Sequence, residues 1–118
     1  MYTYRIAKIV GIVSGDVLDL MIDLGFEVLK KARIQLAGVS CALLNSDIGR
    51  DALGFTERWV ALRMNTPLCI QTSRPREGMA GRYQGTICTA PVSMTEVFCP
   101  ECLNEDLLTA GKAVPIER

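Results

Sequence analysis

The sequence predicts a mainly β fold in which five strands close into a small barrel and two helices complete a single domain over residues 1–118. Three observations carry this reading. Apolar and polar residues alternate through the first third of the chain, the period of a half-buried strand. Turn-forming residues interrupt that alternation at Ser14-Gly15-Asp16 and at Asp23-Leu24-Gly25. One long stretch with helical spacing, 47–64, falls between the third and fourth strands.

The elements follow in order. Residues 2–13 alternate loosely through Tyr4, Ile6, Ile9, Val10, Ile12 and Val13 and form the first strand. Ser14-Gly15-Asp16 is the following turn, in which Gly15 is able to take positive φ. Val17, Asp19 and Met21 alternate with Leu18, Leu20 and Ile22 in the second strand. Residues 26–39 form the third strand, which completes a meander. Ser46 is the N-cap candidate of the first helix. Leu53, Phe55, Trp59, Val60, Leu62 and Met64 supply that helix's apolar residues, Gly54 weakens it and Pro67 ends it. Residues 68–72 form the fourth strand, 73–81 a polar loop and 82–89 a β-rich fifth strand. The stretch 89–99 is ambiguous. A short helix over 104–110 stops at Gly111. The order β-β-β-α-β-β-α is that of an OB-fold, a small, partly open barrel.

Composition narrows the function. The chain has 118 residues, 49% of them apolar, enough for one self-sufficient core. Thirteen basic and thirteen acidic residues cancel, so no global field draws nucleic acid. There is no histidine. Histidine-based acid–base catalysis, Ser-His-Asp and Cys-His nucleophiles and His-ligated zinc are therefore excluded. Five cysteines, an odd number without a secretory leader pattern, predict a reduced cytoplasmic chain rather than a disulfide scaffold. No apolar run approaches the ~20 residues of a membrane helix, so no membrane partner is expected.

Four strings add a resemblance. They are Val13-Ser14-Gly15-Asp16-Val17 with Ile22-Asp23-Leu24-Gly25-Phe26, the run Gln35-Leu36-Ala37-Gly38-Val39-Ser40-Cys41-Ala42-Leu43, then Met79-Ala80-Gly81-Arg82, and finally the run from Asn104 to Ala113. In this order they resemble the staphylococcal-nuclease-like (thermonuclease) family, above all its small members associated with phages and mobile elements. The resemblance spans residues 4–116 and implies an OB-type barrel. Family members cleave phosphodiesters with one calcium ion, held by carboxylates, while a carboxylate base activates water and two arginines neutralise the phosphate.

Carried over by position, that chemistry is mostly gone. The first metal carboxylate corresponds to Asp16 and the second arginine to Arg82. The first arginine corresponds to Gln35, which cannot form a charged bidentate fork. The second metal carboxylate corresponds to Ser40 and the general base to Leu43, which has nothing to titrate. Two of five functional positions remain, and each lost electrostatic partner typically costs ~10²-fold in rate. Asp19 lies an odd number of residues from Asp16, facing the other side of its strand. Asp23 belongs to the far turn.

The resemblance therefore implies a catalytically inactive nuclease-like domain that works by binding. Its expected partner is a protein, and the phage-type resemblance suggests an accessory protein that binds or inhibits a host bacterial enzyme in the host cytoplasm. No cofactor is expected. One alternative is residual calcium-dependent DNA or RNA cleavage through Asp16 and Arg82. Another is a single-stranded nucleic-acid binder using Arg33, Arg74, Arg76 and Arg82 along the barrel groove. Cys99-Pro100-Glu101-Cys102 is a CxxC knuckle, a candidate zinc or redox pair weighed against buried small apolar thiols. The apolar-rich stretch 93–98 is a candidate protein interface or simple packing over the barrel end.

Overall fold

The computed structural model describes residues 2–72, 82–90 and 100–116. The strands are β1 (Tyr2–Ser14), β2 (Val17–Asp23), β3 (Leu29–Leu36), β4 (Val39–Ser40), β5 (Leu68–Thr72), β6 (Arg82–Thr89) and β7 (Val114–Pro115). The helices are α1 (Asp47–Ala61), between β4 and β5, and α2 (Leu103–Thr109), between β6 and β7. Strands β1-β2-β3-β6-β5 form a closed barrel, with β3 and β6 parallel and the other pairs antiparallel. The predicted fold class, a five-stranded OB-like barrel with two helices, is the one the chain adopts. The two-residue strands β4 and β7 form a separate antiparallel pair that the sequence reading missed.

Strand β1 explains its own loose alternation. Its register against β2 slips between Ile6 and Lys8, between Ile9 and Gly11, and between Ile12 and Ser14. Ala7, Val10 and Val13 are thus extra residues, one bulge in every three positions, and each bulge sharpens the strand's twist. The inward period becomes three rather than two. Ile6 is buried, and Ile9 and Ile12 pack against the core. Along β2 and β3 the ordinary period holds: Leu18, Leu20, Ile22, Ala32 and Ile34 are all buried. With Leu36, Ile70, Ile87, Leu103 and Leu107 they fill the barrel and its α2 end. Each fully buried Leu or Ile contributes roughly 1.5–3 kcal/mol.

The third strand is shorter than predicted. It begins at Leu29, because Gly25, Phe26 and Glu27 all take positive φ (83°, 54° and 63°) and so cannot continue a strand. It ends at Leu36, where Gly38 at φ 74° turns the chain into β4. Helix α1 starts as predicted, with Ser46 Oγ accepting the Gly49 amide at 3.0 Å. It ends at Ala61, short of Pro67, and runs unbroken through Gly54. Its buried stripe is Gly49, Ala52, Thr56 and Trp59, the spacing of one helical face, while Leu62 and Met64 are exposed. Small residues on that stripe let the helix axis come close to the barrel. Helix α2 begins one residue earlier than predicted and gives way to Gly111 at φ 73°.

A buried amide ties α2 to the parallel junction of the barrel. Asn104 Nδ2 donates to the Ala37 carbonyl at 2.8 Å and to the Gly85 carbonyl at 3.2 Å, and Oδ1 accepts the Ile87 amide at 3.2 Å. A second contact holds the two helices together. Trp59 Nε1 donates to Asp106 Oδ2 at 2.7 Å, and the Arg63 guanidinium lies 4.1 Å over the indole.

Candidate functional site

The turn between β1 and β2 is the site the sequence singled out, and it is drawn into the scaffold on three sides. The Asp16 carbonyl accepts the Leu36 amide at 2.8 Å, and the Gly15 carbonyl accepts Thr56 Oγ1 of α1 at 2.7 Å. The Asp16 carboxylate is buried. Its Oδ1 accepts Ser14 Oγ at 2.9 Å and its Oδ2 the Cys41 amide at 3.4 Å. Gly15 does not use the positive φ open to a glycine. The glycine is needed for proximity instead. A Cβ there would meet Cys41 Sγ at 2.8 Å and Ala52 Cβ at 2.9 Å.

The other positions of the implied site surround this turn without completing it. Register places Val17, Gln35 and Gln84 in one row across β2, β3 and β6, and Asp19, Arg33 and Arg82 in the row two positions on. Ser40 lies in β4 and is half-buried. Leu43 is 75% exposed and serves the entrance to α1: its carbonyl accepts both Ser46 Oγ, at 2.7 Å, and the Ser46 amide, at 3.1 Å. That carbonyl crosses so close to α1 that a Cβ on Gly49 would sit 1.9 Å from it.

These residues do not fit a calcium ion. Calcium takes six to eight oxygens and is normally held by more than one carboxylate. Asp16 is the one carboxylate carried over to this turn, and its two oxygens already accept from Ser14 and Cys41. Among the described residues, no three Asp, Glu or Cys side chains stand close enough to share a metal.

Arg33, assigned above to a nucleic-acid groove, has a fixed partner. Its Nε donates to Asp19 Oδ1 at 2.8 Å and its Nη2 to Asp19 Oδ2 at 3.1 Å, a bidentate fork on the outer face of β2 and β3. The hydrogen bond from Arg33 holds the Asp19 carboxyl below the usual carboxylate range. Asp19 thus acts as a surface ion-pair partner, away from the buried Asp16. Asp23 accepts the Gly25 amide at 2.8 Å and shapes the next turn, as its position predicted. Arg74, Arg76, Cys99 and the stretch 93–98 lie outside the described residues, as does the side chain of Arg82.

The cysteines differ from expectation. Cys102 is joined to Cys88 in a disulfide. The reduced, disulfide-free chain predicted above is corrected on this point, and the Cys102 sulfur is not free for zinc or for a redox pair with Cys99. The sequence reading overlooked the pairing because fourteen residues separate the two positions. The fold returns the chain alongside β6, where Cys102 forms a bridge with Cys88. Cys69 lies opposite Cys88 on β5 with a free thiol that burial pushes above its ordinary pKa.

Two apolar features had little warning in the sequence. The loop after β2 exposes Leu24, Phe26 and Val28, and Leu29 begins β3 exposed as well. A groove of about 800 Å³ runs between β1 and the C-terminal end of α1, lined by Ile6, Ile9, Ile12, Val60, Met64 and Leu68 among others. Comparison with protein-family models and with curated proteins gives no match to this chain.

Proposed function

We propose that this barrel is a non-catalytic binding domain built on a nuclease-like frame, and that its partner is a protein. The observation that carries the reading is the state of Asp16. The one metal carboxylate that the resemblance carries over is buried and accepts hydrogen bonds from Ser14 and Cys41, with Gln35, Ser40 and Leu43 where charge, ligand and base are needed. A hydroxyl, an amide and an alkyl chain cannot supply those functions. Zero net charge and the engagement of Arg33 by Asp19 favour protein over nucleic acid as partner. The reading needs no metal and no cofactor. In its full form, which rests on the phage-type resemblance, the protein is an accessory factor that binds and inhibits a host protein in the bacterial cytoplasm.

The test is a paired cleavage assay. Purified protein and its Asp16→Asn variant are incubated with single- and double-stranded DNA and with RNA, with calcium and with a chelator. The expected result is no calcium-dependent cleavage by either protein. Calcium-dependent cleavage by the wild type that Asp16→Asn abolishes would refute the reading in favour of a residual nuclease. Salt-sensitive oligonucleotide retardation, weakened by Arg82→Ala or Arg76→Ala, would replace it with a strand-binding function.

A further inference from the structure

Three of the cysteines stand in one row across the barrel wall. Cys69 of β5 lies directly opposite Cys88 of β6, and Cys102, at the entry to α2, lies opposite Cys88 on the other edge of β6. The neighbours Leu68 and Ile70 on β5, and Ile87 and Thr89 on β6, are buried. Strand alternation therefore places Cys69 and Cys88 together on the outer face. Cys88 stands between two partners. It is bonded to Cys102, and the half-buried free thiol of Cys69 lies on its other side.

The ladder gives the spacing. Ala90 N–H donates to the Pro67 carbonyl at 2.8 Å, one position beyond the Leu68–Thr89 pair, so 67 and 90 are a hydrogen-bonded pair. Such pairs recur at every second position of an antiparallel ladder. Cys69 and Cys88 therefore form another, with Cα atoms about 5.5 Å apart. Disulfides most often span Cα distances of about 5.5–6 Å. The spacing for a Cys69–Cys88 bridge is thus in place without a change of register. The charged residues of the same row are Arg5 on β1, opposite Cys69, and Asp23 on β2, opposite Arg5. Glu101, next to Cys102, is held by Arg63. Burial is what moves the Cys69 thiol, and it moves its pKa up. Thiolate is then a minor form at neutral pH, and attack by Cys69 is slow there.

We propose that Cys69, Cys88 and Cys102 form an intramolecular thiol–disulfide exchange relay, which moves the bridge from the entry of α2 onto the barrel wall. The Cys69 thiol loses its proton to solvent, and the thiolate attacks Cys88 Sγ. The Cys69–Cys88 bond forms as the Cys88–Cys102 bond breaks, and Cys102 leaves as a thiolate that takes up a proton. One disulfide and one thiol remain, so neither oxidant nor reductant is consumed. In the first isomer the bridge clamps Cys102, the N-cap residue of α2, to β6. In the second it staples β5 to β6, and α2 keeps only its non-covalent ties, among them Asn104, Leu103 and Leu107. The relay thus sets how firmly α2 is attached. It goes beyond the proposed function and does not rest on it.

The test is disulfide mapping of the full chain. Dilute protein carrying the Cys88–Cys102 bridge is held under argon between about pH 7 and pH 9, a range over which thiols ionise. Samples are quenched in acid, blocked with a maleimide in denaturant, digested with pepsin without reduction and mapped by mass spectrometry. A Cys69–Cys88 link is expected to appear with time while the maleimide label moves from Cys69 to Cys102. The rate is expected to rise about tenfold per pH unit below the thiol pKa and to be independent of protein concentration. Cys69→Ser is expected to keep the Cys88–Cys102 link, with Cys102 unlabelled. Cys102→Ser, treated with glutathione disulfide, is expected to close a Cys69–Cys88 bridge, which tests the geometry apart from the exchange. A wild type that keeps only the Cys88–Cys102 link at the highest pH would overturn the proposal. So would a new link made by Cys41 or Cys99 in place of Cys69, label reaching Cys102 as fast in Cys69→Ser as in the wild type, or a folded Cys102→Ser variant that stays unbridged.

Discussion

Asn104→Leu is the sharpest probe of how the barrel is held at its parallel junction. Leucine shares the branching of asparagine and is larger, so the change removes hydrogen bonds without opening a cavity. Three bonds go, to Ala37, Gly85 and Ile87, at ~1 kcal/mol each. The consequences for the three partners differ. The Gly85 carbonyl keeps the Ala37 amide at 2.8 Å. The Ile87 amide, in a residue with no exposed surface, is left to pay desolvation of about 1–3 kcal/mol. The added apolar burial of leucine offsets part of this. The net expectation is a loss of ~3 kcal/mol, or a fall in melting temperature of about 12 °C for a domain of this size. Urea unfolding followed by Trp59 fluorescence and by far-ultraviolet circular dichroism measures it. Amide exchange at Ile87 is expected to accelerate beyond that of other core amides. A loss under ~1 kcal/mol, or unchanged exchange at Ile87, would show that Leu103, Leu107 and the Trp59–Asp106 contact hold α2 without help from the amide.

Other outcomes follow from the same geometry. Gly49→Ala is expected to destabilise by about 2 kcal/mol, because its Cβ meets the Leu43 carbonyl at 1.9 Å, whereas Gly54→Ala, which meets only the flexible Arg58 side chain at 3.3 Å, is expected to stabilise by ~0.5–1 kcal/mol; thermal melts of the pair decide. Reduction of the Cys88–Cys102 bridge, or Cys102→Ser, is expected to cost up to ~3 kcal/mol for a loop of this length, read as a lower denaturant midpoint with dithiothreitol, while Cys69 alkylates slowly at neutral pH. Asp19 binds its proton more weakly folded than unfolded, so its pair with Arg33 stabilises fully above the ordinary carboxylate value and that stabilisation is lost as pH falls through the lower folded value. Arg33→Gln is expected to return the Asp19 carboxyl towards its ordinary value in an NMR titration.

The fold was legible in the sequence where one rule acted alone. Leu18, Leu20 and Ile22 alternate because β2 is regular, and Ser46 announces α1 because an N-cap is a local device. It was less legible where two rules competed. Phe26 to Val28 have the composition of a strand, yet the loop hydrogen bonds and Asp23 impose left-handed backbone on Gly25, Phe26 and Glu27. Of the large apolar residues of 47–64 only Trp59 is fully buried; the rest of the buried stripe is Gly49, Ala52 and Thr56, which the apolar pattern does not mark. The Cys88–Cys102 bridge depends on where α2 begins in space, which no spacing rule encodes. For the candidate site, the replacements at Gln35, Ser40 and Leu43 were visible from the string alone. That Ser14 and Cys41 share the Asp16 carboxylate required the fold.

The bulges of β1 have a further consequence. Among the described residues, β5 pairs with β1 only from Tyr2 to Arg5, and beyond that point β1 has β2 on one side and the groove on the other. A free strand edge beside an apolar hollow is normally an invitation to indiscriminate sheet growth. With an extra residue at Ala7, Val10 and Val13, the donors and acceptors along that edge no longer fall at the even spacing an incoming flat strand requires. The bulges thus leave that edge poorly matched to pairing with an incoming flat strand, beside a hollow that stays lined by side chains.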